Sequence, residues 1–341
     1  MKILIKSSNA HKNRGIGFYT KNLIECLSKI RDIDLIESSK EALPDLIHYT
    51  YFDLYSPPLF IDQKIPTVVT IHDLTPIVFS KHYPAGLKGQ FNNYLQRLSL
   101  RNVKAILTDS LSSKIDLVKY WNIPEEKIFI TPLGIASHFK VIKDQRRLEQ
   151  VQAKFNLPKR FVIFTGNVNW NKNILGMAKA CIESEIDLVI AGESFTSRAN
   201  LDHTELASFK EFLEKYEQHQ RIHILGFVSD DDLVALYNLA EATLLLSFYE
   251  GFGLTILESQ ACGTPVITSF TSSMPEVGKD AVLYVDPYRV EDIRKAIQKI
   301  LTDQNLRDRL VEKGFENTQY FDWENTAKAT YQVYKKVLNG N

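Results

Sequence analysis

Short runs of Val, Ile, Leu and Phe recur along the chain at strand length. Between them lie longer stretches in which apolar residues return every three or four positions. The short runs predict strands at 2–6, 46–50, 67–71, 105–108 and 128–132, then at 161–165, 187–191, 223–226, 242–248, 265–268 and 282–285. The intervening amphipathic stretches predict helices. Strands that are apolar on both faces and alternate with helices imply a parallel sheet covered on both sides, the doubly wound α/β arrangement. The interval KVIKDQRRLEQVQAKFNLPK (140–159) is charged and poor in strand character, so the domain boundary is placed there. The first domain is expected to span 1–145 and the second 146–321.

In open parallel sheets ligands bind beyond the carboxyl ends of the strands, and the unusual residues fall at those ends. Arg14-Gly15-Ile16-Gly17 follows the first strand and precedes a helix expected from Phe18. His72-Asp73 follows the third, Gly166 and Lys172-Asn173 follow the sixth, and Glu250, Gly251 and Gly253 follow the ninth. The segment EGFGLTILE (250–258) is the most informative. It turns from a strand into a helix expected over 254–262 and stopped at Gly263, with Glu250 at the strand end and Glu258 about one turn inside the helix. Between them is a helix amino terminus, whose unpaired N–H groups attract anions. The segment therefore reads as a phosphate site flanked by two acceptors for hydroxyl groups. Gly15 and Gly17 allow a backbone to approach a diphosphate without a Cβ in the way. Asp230-Asp231-Asp232 could suggest a D-x-D metal motif, but Ser229 with Asp232 three residues on reads better as a capping box.

Composition narrows the class. The length of 341 residues suits two domains, and 44% hydrophobic with 24% charged residues is ordinary for a folded protein in water. Lys plus Arg and Asp plus Glu balance at 41 each, which argues against a nucleic-acid partner bound by bulk charge. Three scattered cysteines support neither a disulfide framework nor a zinc site. MKILIKSS reads as a first strand and not as a signal peptide, and no apolar stretch approaches bilayer-spanning length, so a cytoplasmic location is expected. Between Asp73 and Asp109 the chain carries Lys81, Lys88, Arg97, Arg101 and Lys104 and no acid. Residues 81–104 are therefore either a solvated helix face or a peripheral contact with anionic membrane on the inner face of the cytoplasmic membrane.

Taken in order, RGIGFYT, TIHDLTPIVF, TPLGI, TGNVNWNKN, LGFVSDDDLVALYNLA, SFYEGFGLTILESQACGTPVI, SSMPEVGKDAVLYVDP and FDWENTAKATYQVY resemble the blocks of retaining glycosyltransferases of family 4, with EGFGLTILE as the E-x7-E motif. The stretch TIHDLTPIVFSKHYP is most similar to the bacterial mannosyltransferases of surface-glycan synthesis. The resemblance implies the GT-B fold: two facing Rossmann-like doubly wound domains sharing a cleft, with a C-terminal crossover helix at 322–341 returning to the first.

It also implies the chemistry. A nucleotide-diphosphate sugar, GDP-mannose by the narrower resemblance, is expected in the second domain, and a hexose passes with retention to a glycan or lipid-linked acceptor whose hydroxyl comes from the first, acceptor-side domain. No metal or other cofactor is expected. Glu250 is expected at the sugar hydroxyls, Lys172 at the departing diphosphate, and His72 in a positioning role, with Asp73 able to orient its ring. Glu258 would take the ribose, and Phe252, Gly253, Leu254 and Thr255 the phosphates. Gly15, Gly17, Gly166 and Asn167 complete the donor set, with Val228 at the base.

One departure stands out. Where the family carries an arginine in its phosphate clamp, this chain has Asn167 and Asn171. Either another cation such as Arg14 or Arg198 substitutes, or transfer is slow, or the chain is a donor-binding subunit with little activity. A UDP-sugar donor is the other alternative.

Overall fold

A computed structural model of the protein describes residues 1–7, 15–36, 38 and 42–340. It contains two compact units, one formed by Met1–Gly134 with Phe321–Asn341 and one by Ile135–Tyr320. The division falls earlier than the charged interval suggests because residues 136–142 already pack on the second unit. Asn238 Oδ1 accepts from the Ile142 amide at 2.8 Å, its Nδ2 donates to the Lys140 carbonyl at 3.0 Å, and the rings of Phe139 and Tyr237 lie 6.1 Å apart.

The first unit holds six strands: β1 (Lys2–Lys6), β2 (Asp34–Ile36), β3 (Leu46–Tyr49), β4 (Thr67–Thr70), β5 (Ala105–Thr108) and β6 (Ile128–Ile130). They pair in parallel in the order β2-β1-β3-β4-β5-β6. β3, β4 and β5 are buried along their whole length; β4 and β5 are unbroken apolar and threonine runs, and β3 carries one polar residue, His48. The helices Gly15–Leu27 and Trp323–Leu338 pack on each other, so the last segment of the chain belongs to the first unit. Trp323 meets Phe18 and Tyr19 at ring distances of 6.0 Å. Gly134 admits that segment, since a Cβ there would stand 2.2 Å from the Trp323 nitrogen.

The second unit holds β7 (Phe161–Thr165), β8 (Asp187–Ala191), β9 (Ile222–Gly226), β10 (Ala242–Leu245), β11 (Val266–Ser269) and β12 (Leu283–Val285). Their order is β12-β11-β10-β7-β8-β9, again parallel. Counted within the unit this is 6-5-4-1-2-3, and the direction of winding reverses between β7 and β10. In doubly wound sheets the crevice at that reversal is where a ligand sits. The core beneath it is built from Val162, Phe164, Ile190, Leu244, Phe195 and Phe209, all essentially inaccessible.

Candidate active site

At the reversal point of the second sheet the loops after β7 and β10 bring Lys172 and Glu250 together. Lys172 Nζ donates to both Glu250 oxygens at 2.7 and 2.9 Å, with both side chains largely buried. Ser247 adds a hydroxyl donor to Glu250 Oε1. The Glu250 backbone is also held: its amide donates to Ser272 Oγ at 2.9 Å, and Ser273 Oγ donates to its carbonyl at 2.9 Å. The carboxylate is thus fixed by groups of the chain itself, as a site that must discriminate by position requires.

Lys172 lies in the short turn Trp170–Lys172, ahead of the helix Ile174–Glu183 and outside its first turn. Asn171 and Asn173 on either side explain the missing arginine. Asn171 is 5% exposed, donates to the Tyr249 carbonyl at 2.8 Å, and accepts from the Phe248 amide through its own carbonyl at 2.8 Å. Asn173 donates to the carbonyls of Leu246 at 3.2 Å and Pro287 at 2.8 Å. These side chains stitch the loop after β7 to those after β10 and β12, so the clamp position holds a buried structural amide where a cation was expected. Arg198 is engaged elsewhere, with Glu217 and with the carbonyls of Phe195 and Ser197. Arg14 lies outside the described residues.

Glu250 leads into the helix Leu254–Ala261, which begins where the sequence places it. Gly253 precedes it at φ 103°, a left-handed backbone that a side chain would strain, and Leu254 and Thr255 form its first turn. Phe252 is 6% exposed as a whole residue, and its carbonyl accepts from Ser273 Oγ at 2.8 Å, so it packs beneath this turn. Glu258 accepts a hydrogen bond from the Tyr237 hydroxyl at 2.9 Å, and Tyr237 meets Thr165 Oγ1 at 2.8 Å. Burial raises the Glu258 carboxyl to about 7, the Tyr237 bond opposing and Asp230 adding to the rise.

From β7 across to β9 the strand ends are bare backbone. The Gly166 amide donates to the Ala191 carbonyl at 3.1 Å and the Gly192 amide to the Gly226 carbonyl at 2.9 Å. A Cβ at Gly192 would stand 2.1 Å from the Gly166 carbonyl oxygen. Asn167 is exposed beside this edge, and Val228 is half-buried beyond β9. Gly192 escaped the sequence reading, although it follows β8 directly and the strand-end rule points to it.

In the first unit, Gly15 and Gly17 lie within the helix Gly15–Leu27, which starts ahead of the expected Phe18. They therefore belong to its first turn and not to a loop before it. His72 Nδ1 shares a 2.7 Å hydrogen bond with Asp109 Oδ2. Asp73, which could have oriented the ring, accepts from the Thr75 amide at 2.7 Å. β4 and β5 are neighbours, and their carboxyl ends bring His72 and Asp109 side by side. Burial pushes the imidazole down, but the Asp109 charge and hydrogen bond outweigh it, and the net shift is upward. Behind His72, whose ring meets the edge of Tyr19 at 4.8 Å, lies a buried relay. Tyr19 and His48 both bond Thr70 Oγ1, at 3.0 and 2.7 Å, and His48 Nδ1 meets the Tyr334 hydroxyl at 2.6 Å. Burial, assisted by His72, lowers His48 to about 3, so this histidine is a neutral structural group.

The third residue of the aspartate run is held by its neighbours. Ser229 caps the helix Asp230–Leu239 by accepting from the Asp232 amide at 3.3 Å, and Asp232 binds Arg147 at 2.7 Å and Lys154 at 2.6 Å. Burial raises this carboxyl, but the bonds from Lys154, Ser229 and Arg147 prevail and hold it below the usual range.

Two parallel doubly wound units, each with a prepared acid or histidine at its strand ends, define a GT-B glycosyltransferase. The family profile "Glycosyl transferases group 1" matches residues 145–317 and "Glycosyltransferase Family 4" matches 14–138, so the chain belongs to the family 4 glycosyltransferases. It is 30% identical to the O-antigen chain mannosyltransferase B of Escherichia coli over 302 residues, 86% of this chain and 76% of that one. It is 26% identical to the serotype-specific mannosyltransferase WbdA of Escherichia coli over 315 residues, spanning 87% of this chain but only 37% of the longer relative. Among solved structures, Anabaena Alr3699/HepE in complex with UDP and glucose superposes with a TM-score of 0.77 at 14% identity, covering 98% of this chain and all of that one.

Proposed function

We propose that this glycosyltransferase moves a mannosyl residue from GDP-mannose to a growing surface glycan or its lipid carrier, with retention and without a metal ion. The observation that carries the reading is the Lys172–Glu250 pair at the reversal point of the second sheet. The mannosyltransferase names of the relatives support the sugar.

In this reading the nucleotide lies along the bare edge of β7 to β9, with the ribose on Glu258 Oε1 and the diphosphate at the first turn of Leu254–Ala261. The bond from the anomeric carbon to the diphosphate oxygen breaks, and a bond to the acceptor hydroxyl forms on the same face. The acceptor proton goes to the departing diphosphate, so GDP leaves and no enzyme base is needed. Glu250 holds sugar hydroxyls where positive charge develops, and Lys172 stabilises the charge on the leaving group. His72, oriented by Asp109, positions substrate. Engagement of Asp232 by Arg147 and Lys154 supports metal-free transfer. A UDP-linked hexose is the alternative donor, favoured by the likeness to HepE.

Among the described residues no helix is long and apolar enough to cross a membrane. On the helix Gly86–Ser99, Leu87, Phe91 and Tyr94 form an exposed stripe at positions i, i+4 and i+7. Lys81, Lys88, Arg97, Arg101 and Lys104 are all exposed around it. That combination suits anionic phospholipid, basic side chains meeting headgroups and the stripe entering the interface.

The test is incubation with GDP-mannose, UDP-glucose or UDP-N-acetylglucosamine and an α-linked mannose oligosaccharide, with and without chelator. The anomeric configuration of the product is then read by NMR. Chelator-resistant α-mannoside from GDP-mannose is the expected result. An inverted product or strict metal dependence refutes the mechanism, and transfer only from a UDP-sugar refutes the donor.

A further inference from the structure

Three aromatic rings stack in series, and two of them, Trp170 and Phe248, stand two residues before Lys172 and Glu250 in the chain. Trp170 and Phe248 lie 4.8 Å apart at an interplanar angle of 30°, and Phe248 and Tyr288 4.6 Å apart at 22°. Aromatic pairs in proteins favour offset-stacked or edge contacts, and two successive stacks drawn from three different loops form where something holds those loops together. The side-chain amides of Asn171 and Asn173 do so, fastening the loops after β7, β10 and β12 to one another. Tyr288 itself sits in a fixed turn, its amide donating to Asp286 Oδ1 at 2.9 Å while the preceding Pro287 carbonyl accepts from Asn173. Yet the ring at the end of this stack is 64% exposed. A lone exposed aromatic needs no explanation. One held on two stacked rings, of which Phe248 stands two residues before Glu250 in the chain, is a prepared flat surface.

The turn carrying Tyr288 also borders a cavity of about 530 Å3, lined among others by Asp286, Pro287, Thr271, Phe270, Asp292 and Lys295. That volume is in the range of sites that enclose small ligands. Aromatic walls interspersed with two carboxylates and two ammonium groups match a polyhydroxylated ring, which offers an apolar C–H face and many donors and acceptors around its rim. The position separates this surface from the donor nucleotide. The bare glycine edge and Glu258 lie toward β7, β8 and β9, whereas the open end of the stack and the cavity lie past β10, toward β12.

We propose that the exposed face of Tyr288 is a glycan subsite that stacks a pyranose ring of the acceptor chain, with the adjoining sugar directed into the cavity beside Asp286 and Pro287. The proposal rests on the reading of the acceptor as a glycan. The role of Tyr288 is positioning: it sets which acceptor hydroxyl reaches the site and takes no part in bond making.

The test uses the full chain and α-linked mannotriose in two assays. In the absence of donor, the tryptophan fluorescence of the wild type and of Trp170→Phe is titrated with the trisaccharide, Trp121 and Trp323 serving as the constant background. In steady state, the acceptor KM is measured at saturating donor. Tyr288→Ala is expected to weaken trisaccharide binding and raise acceptor KM about tenfold, with kcat and donor affinity within about twofold. Tyr288→Phe keeps the ring and should stay within about twofold of wild type in both assays. Wild-type affinity in Tyr288→Ala, equal losses in the alanine and phenylalanine variants, or no trisaccharide binding by the wild type each overturn the proposal. Tyr288-dependent binding with no sugar transfer from any donor would sink the proposed function and leave the subsite standing.

Discussion

Glu258 offers a quantitative test of how the nucleotide is held. Its carboxyl, raised to about 7 by burial, is roughly one-tenth ionised at pH 6 and nine-tenths ionised at pH 8. Tyr237 already donates to Oε2, and a ribose hydroxyl that donates to Oε1 needs the carboxylate form. Affinity for GDP-mannose, whose diphosphate is a diester and does not titrate in this range, should therefore fall about tenfold from pH 8 to pH 6, ~1.4 kcal/mol. Folding responds with the opposite sign. A carboxyl whose folded pKa lies above its ordinary value binds its proton more tightly in the native state. That stabilisation is complete below pH ~4.5 and is lost as pH rises through about 7. Calorimetric titration at four pH values, paired with urea unfolding at the same pH values, measures both trends. Glu258→Gln should bind weakly with a flat pH profile. A wild-type affinity that does not change between pH 6 and 8, or a Gln variant that retains the slope, would refute the assignment of Glu258 to the ribose.

Asn171→Arg, which restores the family's clamp residue, should not improve transfer. A buried amide bonded to the Tyr249 carbonyl is replaced by an unpaired charge, and unfolding in urea should reveal a loss of about 2–4 kcal/mol. Asp109→Asn should lower kcat about tenfold with donor affinity within about twofold. It should also move the acidic limb of the pH–rate profile to lower pH, because the charge that holds the His72 proton is gone. Asp232→Ala should destabilise the second unit by about 1–3 kcal/mol through loss of its bonds to Ser229, Arg147 and Lys154. Its activity per folded molecule should be unchanged with or without chelator, and a variant that responded to added Mg2+ would reopen the metal reading.

The sheets were largely readable because parallel strands buried on both faces leave unbroken apolar runs, as in FVIFT at β7. β2 was not, since a three-residue edge strand with one exposed position carries too little pattern. The run 242–248 was read as one long strand, but β10 ends at Leu245 because Asn173 and Asn171 take over the Leu246 carbonyl and the Phe248 amide. The same limit governs the site. Strand-end logic locates Glu250, Lys172 and His72, but which side chains meet is decided by sheet neighbours distant in sequence. Asp109 reaches His72 because β5 lies beside β4, and Tyr237 reaches Glu258 from a different helix. The absent arginine was visible as a letter, whereas the role of the Asn171 and Asn173 amides in fastening three loops exists only in three dimensions.

The first unit is discontinuous, with the second inserted between Gly134 and Phe321. On the ribosome, residues 1–134 therefore emerge and then wait through the synthesis of the whole second unit, roughly ten to forty seconds at ordinary elongation rates, before their last helix appears. During that interval the helix Gly15–Leu27 lacks its packing partner, and His48 lacks the Tyr334 hydroxyl that completes its buried bonds. The second unit, contiguous in sequence, can finish folding first. The unit that carries His72 is completed last, so the nascent chain acquires the half that carries Lys172 and Glu250 before it, and a ribosome stalled short of the final helix leaves a folded second unit attached to an unfinished first.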